Sequence, residues 1–140
     1  VLGLGGVAGN AFARSPAAPP APSPYAHVPR EVSAVTGACM MVRRDCWDLV
    51  GGFDEENLAV AFNDVDFCLR LWQAGRRVLY TPHARLLHFE SFSRGKELDL
   101  KEVEYMRRRW AREIAGDRFY NPNLTRDRAD FSVAISRPPR

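Results

Sequence analysis

The sequence predicts an α/β fold, and three observations carry that expectation. Helical periodicity is clear in two places, Asp64–Ala74 and Leu98–Ile114. Short runs rich in small and β-branched residues lie between and before them, as buried strands do. Hydrophobic residues make up 46% of the 140 residues, enough for a core. The order of strand, short helix, loop, helix, strand, strand and long helix fits half of a three-layer sheet with helices packed against it. A sheet cut to half leaves an exposed edge, and self-association through that edge is expected.

Residues 1–14 are rich in Gly and Ala and read as loop. "SPAAPPAPSPY" follows, with five prolines in eleven residues, which precludes helix or central strand. Residues 1–31 are thus expected as a Gly- and Pro-rich loop region, and residues 32–140 as the structured part. "EVSAVTGACMMVRR" suggests a buried strand over Ala34–Val42. Asp45 is a credible N-cap for the short helix "CWDLV", which Gly51-Gly52 stops because glycine readily takes positive φ. "FDEENLAVAF" is an acidic loop. The second helix runs from Asp64 to Ala74, with Val65, Cys68, Leu69 and Trp72 in one core-facing stripe and Asp64, Phe67 and Leu71 on a neighbouring face. "RRVLYT" is a short strand ended by Pro82, and Ala84–Phe89 is another. In the long helix, Val103, Met106, Trp110 and Ile114 form the apolar stripe. The turn-rich tail "GDRFYNPNLTRDRADFSVAI" is expected to pack irregularly over the core.

Composition narrows the function classes. The net charge is +3, and the basic residues gather in "RRRWAREIAGDR" and "SRPPR". Such runs suit an anionic partner or a membrane surface, or simply a solvated helix face. No nucleic-acid partner is expected, because no recognised binding motif accompanies the charge. No run approaches the ~18 apolar residues that a membrane span needs. Cys39, Cys46 and Cys68 are odd in number and lack pair-like spacing, which fits a reducing compartment rather than a disulfide framework. A zinc site from these thiols and His88 lacks a CxxC pair to support it.

Three places could carry chemistry. Asp64 and Asp66, in "NDVD", stand at the start of the second helix. There an acid is stabilised by unpaired amides and the macrodipole, by roughly 0.3–1 kcal/mol. The loop that leads in, however, also places Asp64 where catalytic groups are commonly held. His88 ends an apolar strand. Arg94 sits in "ESFSRGK", a loop able to hold phosphate through amides and a guanidinium fork, or an ordinary turn.

Taken in order, "TGACMMVRRDCWDLVGGFDE", "AFNDVDFCLRLWQAGRRVLYTPHARLLHFES", "SRG" and "FYNPNLTRDRADFS" resemble the carboxy-terminal half of bacterial inverting GT-A glycosyltransferases of the rhamnosyltransferase-like type, which build polysaccharides and lipopolysaccharides. The resemblance covers about Val32 to Ser132. It implies a partial GT-A fold, the acceptor-side half of a three-layer sandwich, with the donor-binding half and its DxD motif expected before residue 1. The chain does not begin with Met and is expected to be a fragment, inactive alone. The resemblance implies Asp64 as the catalytic base, and Asp66 as a second acid on the acceptor side that caps the helix or orients a neighbour. It further implies His88 as a ligand of Mg²⁺ or Mn²⁺, Arg94 and Ser93 at the donor diphosphate, and Thr36 and Gly37 behind the acceptor pocket. Asn63 stands where many relatives have an acid. The implied partners are a nucleotide-diphospho-sugar donor and a glycan or lipid-linked acceptor, with peripheral membrane association at the inner face of the plasma membrane and a cytoplasmic location. The competing reading is a non-catalytic acceptor-binding or interaction lobe; a third is a small metal-binding regulator built on Cys and His.

Overall fold

The computed structural model describes residues 1–12, 24–86 and 99–134. Their elements in chain order are β1 (Arg30–Glu31), α1 (Arg44–Val50), α2 (Asn63–Gln73), β2 (Leu79–Tyr80), α3 (Leu100–Arg109) and α4 (Ala111–Ala115), with single 3₁₀ turns at Leu4–Gly6, Pro24–Ala26 and Gly37–Cys39. The mixture of helix and strand is as expected, but helices dominate. Among the described residues the sheet is one antiparallel pair, Arg30 opposite Tyr80 and Glu31 opposite Leu79. Two residues per strand offer no long edge, so the expected self-association through a sheet edge finds no such surface among them.

The helices form where periodicity places them. α1 ends at Gly51 and Gly52, both left-handed, whose N–H groups return to the Trp47 carbonyl. A Cβ on Gly52 would lie 2.8 Å from the Trp47 ring, so the turn needs glycine for space as well as conformation. The N-cap is Arg43 rather than Asp45; Asp45 lies inside the first turn and pairs with Arg43 at 2.8 Å. In α2 the buried side is wider than the expected stripe. Phe67 and Leu71 are buried along with Cys68 and Leu69, while Val65 and Trp72 are half-buried. The long helix breaks at Trp110, with φ −118° and ψ 30°, into α3 and α4. Its stripe holds, with Met106 and Trp110 buried and Val103 and Ile114 packed beside them.

The strand expected over Ala34–Val42 is absent. That stretch holds the 3₁₀ turn Gly37–Cys39, and Met41 is fully exposed. Its apolar residues lack alternation, and Thr36-Gly37 turns the chain instead of extending it. Ala84–Leu86, the described part of another expected strand, is exposed and unpaired. The core is built by helices and by the chain start: Leu2 and Val7 pack with Leu58, Leu69, Met106 and Trp110. Asp117, itself buried, ties this region together, accepting from the Leu2 N–H at 2.9 Å, the Ser33 hydroxyl at 2.5 Å and the Phe119 N–H at 3.0 Å. The tail is irregular, as expected, and closes through the Leu124–Val133 bridge. No helix among the described residues is long and apolar enough to cross a membrane.

Candidate active site

The approach to α2 is fixed from α3. Glu102, 5% exposed, turns both carboxylate oxygens to the preceding loop and accepts from the Val60 N–H at 2.8 Å and the Ala61 N–H at 2.9 Å. Phe62 then takes a left-handed conformation (φ 61°), which is costly for a bulky residue and is held because its side chain packs against the core. Its carbonyl accepts from the Asp66 N–H and starts the helix. Further upstream, Asp54 accepts from the Tyr105 hydroxyl at 2.7 Å and from the side chain and backbone of Asn57. α3 therefore clamps the acidic loop at two points and sets where the first turn of α2 begins.

Asp64 stands at that first turn, half-buried. Its Oδ2 accepts from the Gly37 N–H at 2.8 Å and its Oδ1 from the Val65 N–H at 2.8 Å. Thr36 caps the 3₁₀ turn, its Oγ1 accepting from the Ala38 N–H at 3.3 Å, and thereby presents the Gly37 amide to the carboxylate. Gly37 is close enough that a Cβ there would sit 3.4 Å from Asp64 Cβ and 3.7 Å from Oδ2. Thr36, Gly37 and Asp64, separated by 27 positions from glycine to acid, thus meet, with Thr36 and Gly37 exposed beside the carboxylate. Two amide bonds fix the orientation of the carboxylate and leave each oxygen further acceptor capacity. The carboxylate is thus oriented by backbone amides and stays half-exposed. One turn on, burial pushes the Cys68 thiol up to about 11, with the Val35 backbone pulling the other way and the nearby Asp64 charge adding to the rise.

Asp66 belongs to a different environment. It is fully buried; Oδ2 accepts from Arg70 Nε at 2.7 Å and Oδ1 from the Trp110 indole at 2.8 Å, with Arg109 Nε 3.3 Å away. Arg70 also donates to the Val50 and Gly52 carbonyls, tying α2 to the end of α1. Around this pin Trp47, Phe53 and Phe67 pack ring against ring, with centroids 5.0–5.3 Å apart. The expectation that Asp66 faces the acceptor is corrected: every oxygen is engaged inside the protein, and its work is to hold α1, α2 and α3 together.

His88, Ser93 and Arg94 lie outside the described residues. Among the described residues no group of three His, Cys, Asp or Glu side chains is placed to hold a metal ion. The thiols give no support to the zinc reading either: Cys39 is exposed, Cys46 half-buried and Cys68 buried, all free. Sequence reasoning passed over Glu102 and Arg70, whose partners are loop amides and carbonyls 18–42 positions away. Their one local signal is a charged residue beside an apolar helical stripe.

Residues 24–113 match a family described as Glycosyltransferase like family 2. The chain is similar to the uncharacterized protein y4gI of Sinorhizobium fredii, at 41% identity over 98% of this chain and 16% of that protein. It is similar to the O-antigen biosynthesis protein RfbC of Myxococcus xanthus, at 38% identity over 95% of this chain and 11% of that protein. A third relative is the N-acetylglucosaminyl-diphospho-decaprenol L-rhamnosyltransferase of Mycobacterium tuberculosis, 40% identical over 49% of this chain and 22% of that protein. The matched stretches therefore cover between 11% and 22% of the length of these relatives. No solved structure matches.

Proposed function

We propose a function for this chain from its membership of Glycosyltransferase like family 2, to which it belongs by the match over residues 24–113. The protein transfers a sugar from a nucleotide-diphospho-sugar to a hydroxyl of a glycan or lipid-linked acceptor, and this chain supplies the acceptor side of a GT-A fold. The observation that carries the reading is the Asp64 carboxylate held at 2.8 Å against the Gly37 amide, half-open beside Thr36. In the proposed step the acceptor hydroxyl gives its proton to Asp64 as its oxygen attacks the anomeric carbon. The bond from that carbon to the diphosphate breaks, the diphosphate leaves with the electron pair, and configuration inverts. General-base assistance of this kind contributes about 10²–10⁴-fold. Thr36 and Gly37 present a small-side-chain surface against which the acceptor can approach the base.

Arg94 and Ser93 are proposed at the donor diphosphate. Mg²⁺ or Mn²⁺, with His88 as one ligand, belongs to the same reading, and its remaining ligands come from outside the described residues. The relative named for a diphospho-decaprenol acceptor supports a lipid-linked acceptor here, and a cytoplasmic place at the inner face of the plasma membrane is part of the same proposal. The test is nucleotide release by the full-length protein from a panel of nucleotide sugars. The reading expects acceptor-dependent release that is lost in Asp64→Asn. A non-catalytic lobe gives no such release and still binds the acceptor.

A further inference from the structure

On the side of the fold where β1 meets the tail, an open pocket of 240 Å³ is lined by Tyr25, Arg30, Glu31, Asn121 and Phe131, among others. It shares no residue with the Asp64–Gly37 junction. Its walls are aromatic. Phe131 stacks on Phe12 at 4.7 Å and on Tyr25 at 5.3 Å, and Tyr25 stays 47% exposed. Phe12 and Phe131 both hold left-handed backbone, at φ 57° and 59°, so two strained residues meet ring to ring at this wall. Such strain persists only where the surroundings fix it.

The polar groups are few and incompletely used. Arg30 lies within 5.4–5.9 Å of the Tyr25, Tyr80 and Phe131 ring centres. Its Nε donates to the Tyr25 carbonyl at 3.4 Å, while its terminal nitrogens have no hydrogen-bond or ion-pair partner among the described residues. Burial lowers its pKa, with Tyr80, the Asp117 carboxylate and Tyr25 acting in the opposite direction. Glu31 does not supply that contact; it pairs with Arg77 at 3.1 Å, and one of its oxygens stays available. Asn121 uses its Oδ1 to accept from the Asn123 N–H, leaving its amide N–H₂ to donate.

We propose that this pocket binds one sugar unit carrying an anionic group. The apolar face of the sugar ring lies against Tyr25, the anion takes the guanidinium fork of Arg30, and hydroxyls reach Asn121 and Glu31. Aromatic walls with a few convergent polar groups are the general form of a small-ligand site, and a guanidinium fork matches the paired oxygens of phosphate or carboxylate. The cation–π contacts alone would hold Arg30 as structure, and the ligand-binding account is distinguished by its unused donors.

The test is calorimetric titration of the protein with glucose 1-phosphate, glucuronate, glucose and inorganic phosphate. Saturable binding of glucose 1-phosphate or glucuronate is expected, at least tenfold tighter than glucose or inorganic phosphate, and the stronger of the two identifies the anion. Arg30→Lys keeps the charge but loses the fork, and should weaken that binding at least tenfold; exposed Asn121→Ala should weaken it several-fold with the fold unchanged by circular dichroism. Failure of both anionic sugars to saturate, inorganic phosphate binding as tightly, or unchanged affinity in both variants would overturn the proposal. No transfer reaction is involved, so a negative result leaves the role of Asp64 standing.

Discussion

Asp64 and Asp66 stand two residues apart on the first turn of α2 and live in opposite worlds. Asp66 is sealed among Arg70, Arg109 and Trp110. Asp64 is held by two backbone amides and remains half-open. The two positions differ by some 200° around a helix, enough to send one side chain into the core and the other toward the 3₁₀ turn at Gly37. A carboxylate with arginine and indole partners is structure; one with amide partners and free lone pairs is available for chemistry. The difference teaches that neighbouring acids can divide their roles, the buried one fixing the helix on which the open one rides.

The sharpest way to break this contrast is Asp66→Ala. It strips a fully buried acid from Arg70, itself only 15% exposed, and should cost about 3–5 kcal/mol of stability, read by denaturant unfolding. A cost near zero would remove the division of labour. Glu102→Gln comes next. An amide can accept from one of the Val60 and Ala61 N–H groups but sets a donor against the other, so about 1–3 kcal/mol should be lost. Gly37→Ala should change stability by only about 0.5 kcal/mol, since its new Cβ meets Asp64 at ordinary contact distance. Its effect belongs to transfer, where a methyl group in the acceptor approach should slow the rate about tenfold.

The smallest effect at neutral pH is that of Cys68. Its thiol is raised from 9.0 to about 11, so its contribution to stability is full below pH 9, where it is neutral in both states. As pH climbs from 9 toward 11 the unfolded chain ionises first, and that contribution is lost. Alkylation at pH 8 should therefore label exposed Cys39 well before Cys68, as peptide mapping would show.

Much of this contrast was legible in the residues. The periodicity of "DVDFCLRLWQ" located α2, Gly51-Gly52 closed α1, and Met106 with Trp110 marked the buried side of α3. The family resemblance singled out Thr36, Gly37 and Asp64, but their contact across 27 positions is visible only in the fold. The apolar run over 34–42 misled because composition without alternation does not distinguish a strand from a turn-broken segment, and two-residue strands such as Arg30–Glu31 leave no pattern to read. The fate of Asp66 was hidden for a related reason. Its burial depends on Trp110, 44 positions away, and on Arg109, neither of which local sequence places beside it.

The most direct measurement is the turnover of Asp64→Asn in the full-length protein, alongside its unfolding midpoint and its affinity for acceptor. The account predicts transfer slowed by about 10²–10⁴-fold with midpoint and affinity close to wild type. Turnover near the wild-type rate would contradict it and return Asp64 to the role of a helix-terminal acid.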